Sequence, residues 1–350
     1  MKRRLILHLG LSKTGTTSIQ GFFRQNPEAL AAAGIIYPRV SAAMPDHPAF
    51  RRSALKARRN EETNHSALAL EINGGREGAG DAGDRTPLWS AAFRQIDDSG
   101  ARTAIVSYEN FSIRPTKYRF DDIAGRIGGF NVLGIIYLRR QEDWAISLYG
   151  QKVKGAGRFA KDFSRYASSL GGRLIYSRIL DEIKGHFPLD RLVVGNFDQA
   201  ANTGLLEDFL DRAGLPRERL MSGVEQRLRN PSRSHGATLF LLKCNQAALP
   251  DDAFLRVRKA LAADGPRDVD FGLRPGLDMA APDERRAMRE ATAKDADRLL
   301  ERYGVSLSAE TRAPIAYRPF DEEDFNTIRQ AIAPRLPTAT REALETIQVR

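Results

Sequence analysis

The stretch Leu7 to Phe23, LHLGLSKTGTTSIQGFF, concentrates the groups that hold an anion. Gly10 and Gly15 bracket a short loop, Lys13 sits inside it, and Thr14, Thr16, Thr17 and Ser18 surround the second glycine with hydroxyls. The apolar run before it reads as a buried strand, and the residues from about Thr16 onward read as a helix. A helix that starts there points unpaired backbone N–H groups and the positive end of its dipole at the loop. Gly15 lets the backbone approach an anion closely, and Lys13 with the hydroxyls of Thr16 and Thr17 adds direct contacts. The chemistry is that of a phosphate or sulfate cradle.

The glycine spacing is that of an ATP-binding P-loop, in which lysine follows the second glycine and reaches the β- and γ-phosphates. Here Thr16 stands in that place and Lys13 comes before the glycine. The loop therefore departs from the ATP-binding pattern in the place of its lysine.

Four apolar segments supply the elements that must position this loop: residues 4 to 11, 102 to 108, 130 to 138 and 190 to 197, with 34 to 38 as an edge strand stopped by Pro38. Their hydrophobicity is continuous rather than alternating, which suits strands covered on both faces. The fold class expected is α/β: a P-loop-like three-layer sandwich with a central parallel sheet flanked by helices, and a helical C-terminal part. Each strand ends in polar residues: SKTGTT, ENFS (109 to 112), RRQED (139 to 143) and DQAANTG (198 to 204). In open parallel sheets the ligand crevice lies beyond those ends.

At this point SKTGTTS (12 to 18) resembles the 5′-phosphosulfate loop of sulfotransferases that use 3′-phosphoadenosine-5′-phosphosulfate (PAPS). The resemblance implies that Lys13, Thr14, Gly15, Thr16, Thr17 and Ser18 hold the phosphosulfate, with Lys13 beside its bridge. The same family pairs a strand-end arginine with a serine eight residues on to hold the 3′-phosphate, and Arg139 and Ser147 keep that spacing. Arg140 and Gln141 replace the usual Asn-Pro, so the motif is diverged. Residues 192 to 216 resemble the strand and helix that follow in bacterial carbohydrate-type members. RLRNPSRS (227 to 234) lies where many members close a loop over the donor, which makes Arg227 and Arg229 further contacts.

A transfer of this kind needs a base for the acceptor proton. Glu109, at a strand's carboxyl end, resembles the glutamate of polysaccharide-type members and is the preferred candidate. His47, in MPDHPAF, is the alternative, because histidine titrates near neutrality. The function implied is sulfuryl transfer from PAPS to a hydroxyl of a carbohydrate or glycolipid. Two other readings stay open: a nucleotide kinase-like phosphotransferase with a degenerate loop, and a nucleotide-binding protein without catalysis.

Length and composition set the frame. With 350 residues the chain can bury a substantial core unaided. The expected organisation is a sulfotransferase-like domain over 1–310, with a flexible insertion at about 51–87 and a helical lid region at about 223–305, then a C-terminal extension over 311–350. Fifty-four Lys and Arg against 44 Asp and Glu give a net charge of +10. That surplus suits anionic ligands and peripheral contact with an anionic membrane surface. No zinc-finger, zipper or RNP pattern accompanies it, so nucleic acid is not expected as a partner. The single cysteine, Cys244, excludes an intramolecular disulfide framework. The histidines lack metal-ligand spacing, so no metal is expected. With no long apolar segment and no signal-like cleavage site, a cytoplasmic location is expected.

Overall fold

The computed structural model describes residues 2–44, 64–73, 86–222, 234–262, 268–307 and 317–349. His47, Arg227, Arg229, the basic run 51–60 and the glycine-rich stretch from 74 to 85 lie outside the described residues.

Five strands form one all-parallel sheet in the order β2-β3-β1-β4-β5, where β1 is Arg3–His8, β2 Ile35–Ile36, β3 Thr103–Ser107, β4 Phe130–Leu138 and β5 Arg191–Asn196. The chain leaves β1 toward one edge and returns to its other side with β4, so the strand order reverses beside β1. Such a switch opens a crevice at the carboxyl ends of the strands. The register aligns Ile6 with Ile105 of β3 and Leu133 of β4, and Ile135 with Val193 of β5. One face of the sheet is thereby apolar across its width.

That face packs on α1 (Thr16–Gln25), whose Ile19, Phe22 and Phe23 recur at helical spacing, and on the helix Leu205–Arg212 through Phe209 and Leu210. Phe209 is fully buried, and its ring meets His8, Phe23 and Tyr137 at centroid distances of 5.1, 5.6 and 6.5 Å. The alternate residues Leu5, Leu7, Val106 and Ile136 are also fully buried. Burial on both faces is why the strands read as continuous apolar runs.

The first apolar run extends to residue 11, whereas β1 stops at His8. Leu9 and Leu11 stay buried, but Gly10 at φ 45° turns the backbone out of the ladder. Burial continues where the strand does not, so hydrophobicity alone overshoots the boundary.

Two compact units divide the chain. The first comprises Met1–Arg139, Ile175–Arg229 and Asp295–Ser308 and contains the sheet. Within it the fully buried carboxylate of Asp295 accepts hydrogen bonds from the N–H groups of Tyr176 (2.8 Å) and Ser177 (3.0 Å), capping the helix Tyr176–His186 from a distant part of the sequence. The second comprises Arg140–Leu174, Asn230–Lys294 and Ala309–Arg350. It is helical: Tyr149 sits among Phe159, Phe163 and Tyr166, and Phe240 stacks on Phe325 at 4.4 Å. Cys244 is buried there, and burial pushes its thiol up to about 12, the behaviour of a small core residue.

Phe209→Ala removes a buried ring from the face that carries α1. Urea unfolding should show a loss of about 3–5 kcal/mol, and a loss below about 1 kcal/mol would mean the cluster repacks around the gap.

Candidate active site

After β1 the chain turns through Gly10 at φ 45°, Lys13 at φ 70° and Gly15 at φ 75° before α1 begins. Two of these left-handed positions are glycines, and each is closely surrounded. A Cβ on Gly10 would lie 2.5 Å from Cα of Glu109, and one on Gly15 would lie 2.1 Å from Cδ2 of Leu205. Gly15 is also the N-cap of α1, with no side chain accepting from the first turn. The opening amides of the helix are thus left facing the loop, the arrangement that favours an anion.

The loop's side chains divide by direction. Thr14 is fully buried and its hydroxyl donates to the Leu11 carbonyl, so that hydroxyl braces the loop from within. The Thr16 hydroxyl, also buried, donates to Oε2 of Glu109 at 3.3 Å. Thr17 is exposed and Ser18 half-buried. The Gly10 carbonyl accepts from the Ser112 hydroxyl, a second tie between the loop and the end of β3.

Lys13 stands half-buried between charges of both signs. Burial lowers its pKa below the ordinary lysine value, Glu109 opposes that shift, and Arg139 adds to it. Arg139, just past β4, reaches the Lys13 carbonyl with Nη1 at 3.5 Å, and its Nε lies 3.6 Å from Oδ1 of Asp198. The first unit therefore brings Lys13, Thr16, Glu109 and Arg139 together at the carboxyl ends of β1, β3 and β4. Asp198, beyond β5, is a member the sequence did not single out. Its signal was its place at the head of the fourth polar strand end.

Ser147 is a half-buried residue of the helix Gln141–Lys154, in the second unit. Arg140, the neighbour of Arg139 in sequence, pairs with Asp143 at 2.6 Å in that same unit. Asp143 also takes Arg285 at 2.9 Å, so Arg140 belongs to a local ion network.

Beneath the loop lies a buried, uncharged polar cluster. The Ser107 hydroxyl meets His8 Nδ1 at 2.8 Å and accepts from Gln20 Nε2 at 3.1 Å. His65 accepts from the Ser107 N–H at Nδ1 (2.9 Å), so its Nε2 carries the proton and donates to the Pro38 carbonyl at 2.8 Å. Burial holds His8 at about 3 and His65 at about 4, so both rings are neutral. Neither is exposed to the crevice, and their work is to tie β1, β3 and α1 together under the loop.

Among the described residues no group of three or more His, Cys, Asp and Glu is placed to hold a metal ion. Nor is any helix among them long and apolar enough to cross a membrane.

The sheet and the loop at its carboxyl ends define an α/β protein with a glycine-bounded strand-to-helix turn. No protein-family model matches the chain, and no curated protein matches it. Among solved structures it is similar to a sulfotransferase from Alicyclobacillus acidocaldarius, with 16% identity, a TM-score of 0.38, and coverage of 75% of this chain and 97% of that one.

The two histidines give stability a pH dependence with a definite sign. Their pKa values lie below the unfolded value of 6.5, so the unfolded chain binds their protons first as pH falls. Above pH 7 they contribute no slope. Below 6.5 stability should fall by up to about 1.4 kcal/mol per pH unit for each, His65 ceasing near 4 and His8 near 3. His65→Gln, which keeps an acceptor for Ser107 and a donor for Pro38, should unfold along a shallower pH curve between 6.5 and 4. Equal slopes for the two proteins would place the titration elsewhere.

Proposed function

We propose that the protein is a PAPS-dependent sulfotransferase acting on a hydroxyl of a carbohydrate or glycolipid. The observation that carries this reading is the placement of Lys13. It sits before the second glycine, held in the left-handed region, partly desolvated, and acted on electrostatically by both Glu109 and Arg139. A P-loop lysine would instead rise from position 16, where Thr16 is turned toward Glu109.

In this reading the donor supplies an activated sulfuryl group. The amides at the head of α1 and the hydroxyl of Thr17 hold the 5′-phosphosulfate, while Arg139 takes the 3′-phosphate. Ser18, Ser147, Arg227 and Arg229 are proposed as further donor contacts on the family resemblance alone, as is Thr14 through its main chain, its hydroxyl being taken by the Leu11 carbonyl. Lys13 places its positive charge against the bridging oxygen, which keeps the electron pair when the sulfur–oxygen bond breaks. The acceptor oxygen forms the new bond to sulfur, and Glu109 takes its proton. His47 is the alternative base. Positioning and electrostatic compensation do most of the work in such transfers. The likeness of residues 192 to 216 to carbohydrate-type members supports the acceptor class, and the net charge of +10 supports anionic ligands and contact with an anionic surface.

One observation favours a second reading. Glu109 lies two residues past β3, the strand next to β1, and is hydrogen-bonded to a loop hydroxyl, a pairing that also suits a magnesium ion in phosphoryl transfer. Against it, the carboxylate already faces the Lys13 ammonium.

Thermal unfolding with 3′-phosphoadenosine 5′-phosphate, ADP, and ATP with magnesium separates the readings. Selective stabilisation by the first, about 2.7 kcal/mol at a hundredfold excess over its Kd, should disappear in Lys13→Ala and Arg139→Ala. Preference for magnesium-ATP would establish the second reading instead. Glu109→Gln should lower turnover of sulfate from PAPS roughly 100- to 10,000-fold with nucleotide affinity kept. Full activity in that variant would remove Glu109 from the chemistry.

A further inference from the structure

Arg139, the residue assigned to the 3′-phosphate, already faces an anion of the protein's own. Leu138 and Asn196 are register partners on β4 and β5, so the next residues, Arg139 and Phe197, leave the sheet side by side. Arg139 Cζ lies 5.4 Å from the centroid of the Phe197 ring, and Asp198 follows directly. The pair Arg139–Asp198 spans 3.6 Å, with side chains only 23% and 14% exposed. That distance is too long for a hydrogen bond, and Nε of Arg139 is buried without one. The carboxylate therefore balances the guanidinium charge without taking the Nε hydrogen. A phosphate arriving on the guanidinium meets a carboxylate of like charge close by.

We propose that Asp198 is a specificity-determining residue that competes with the ligand's 3′-phosphate for Arg139, weakening the grip on 3′-phosphorylated nucleotides and hastening their departure. This rests on the sulfotransferase reading of the site. Donor and spent nucleotide carry the same 3′-phosphate, so an arginine with no internal partner would hold the product as firmly as the donor. A resident carboxylate raises the free energy of the occupied state and re-forms its pairing when the nucleotide leaves. Selectivity through a repulsive element of this kind acts only on ligands that carry the second phosphate. A nucleotide with a 5′-phosphate alone is held at the loop by Lys13 and the helix amides and has no second phosphate to place against the Arg139–Asp198 pair.

The test is calorimetric titration and stopped-flow dissociation of 3′-phosphoadenosine 5′-phosphate and of adenosine 5′-phosphate. The proteins are wild type, Asp198→Asn, Arg139→Ala and the double variant. Asp198→Asn should bind the 3′-phosphorylated nucleotide about tenfold tighter, mainly through slower dissociation, with adenosine 5′-phosphate changed less than about twofold. In the Arg139→Ala background the same substitution should have no effect. Should Asp198→Asn fail to fold, Asp198→Ala removes the same charge and carries the same expectation. Unchanged or weaker binding in Asp198→Asn, or equal tightening of both nucleotides, overturns the role of Asp198 and leaves the donor assignment standing. Wild type that does not prefer the 3′-phosphorylated nucleotide, with no loss in Arg139→Ala, removes the sulfotransferase reading and this inference with it.

Discussion

At Gly10 the loop after β1 runs so close to the end of β3 that one added methyl group would fall 2.5 Å from the Glu109 backbone. This approach is the constraint on which the site depends. It brings the loop before α1 and a strand end that carries a carboxylate within reach of each other, and the Ser112 hydroxyl on the Gly10 carbonyl holds them there. The Thr16 hydroxyl then reaches Glu109, and the carboxylate acts electrostatically on Lys13. A parallel sheet makes this possible, because every strand delivers its carboxyl end to the same edge.

Directly below the charged layer the protein places polar groups that carry no charge. Ser107 gathers His8, Gln20 and His65, joining two strands, α1 and the segment before the helix Ser66–Glu71. Buried polar groups of this kind are costly when unpaired, so each bond in the cluster constrains where its neighbours stand. The loop above inherits that rigidity. Its ammonium, carboxylate and guanidinium sit on a base whose geometry is fixed by neutral hydrogen bonds and by the aromatic cluster around Phe209.

Much of this was legible in the residues. The central strands announced themselves because burial on both faces removes polar alternation, and the turn announced itself because Gly10 and Gly15 fall between an apolar run and a helical pattern. The 22-residue helix Pro282–Tyr303 carries its own signals, a proline as its first residue and Gly304, at φ 65°, directly after its last. What the sequence hid depends on contacts far apart along the chain. Asp295 caps a helix more than a hundred positions away, and Asp198 faces Arg139 only because β5 lies beside β4. The inward turn of the Thr14 hydroxyl was hidden for another reason. Adjacent threonines look alike in sequence, and only the left-handed backbone at Lys13 and Gly15 decides which points where.

That left-handed lysine carries a wider meaning. A residue with a side chain at φ 70° is held in a conformation that costs about 1–2 kcal/mol relative to the usual regions, a burden glycine would not bear and asparagine would bear lightly. Lysine stands at position 13 against its own conformational preference, so the loop is less relaxed than this fold would allow, and the strain sits at the turn between the first strand and the first helix.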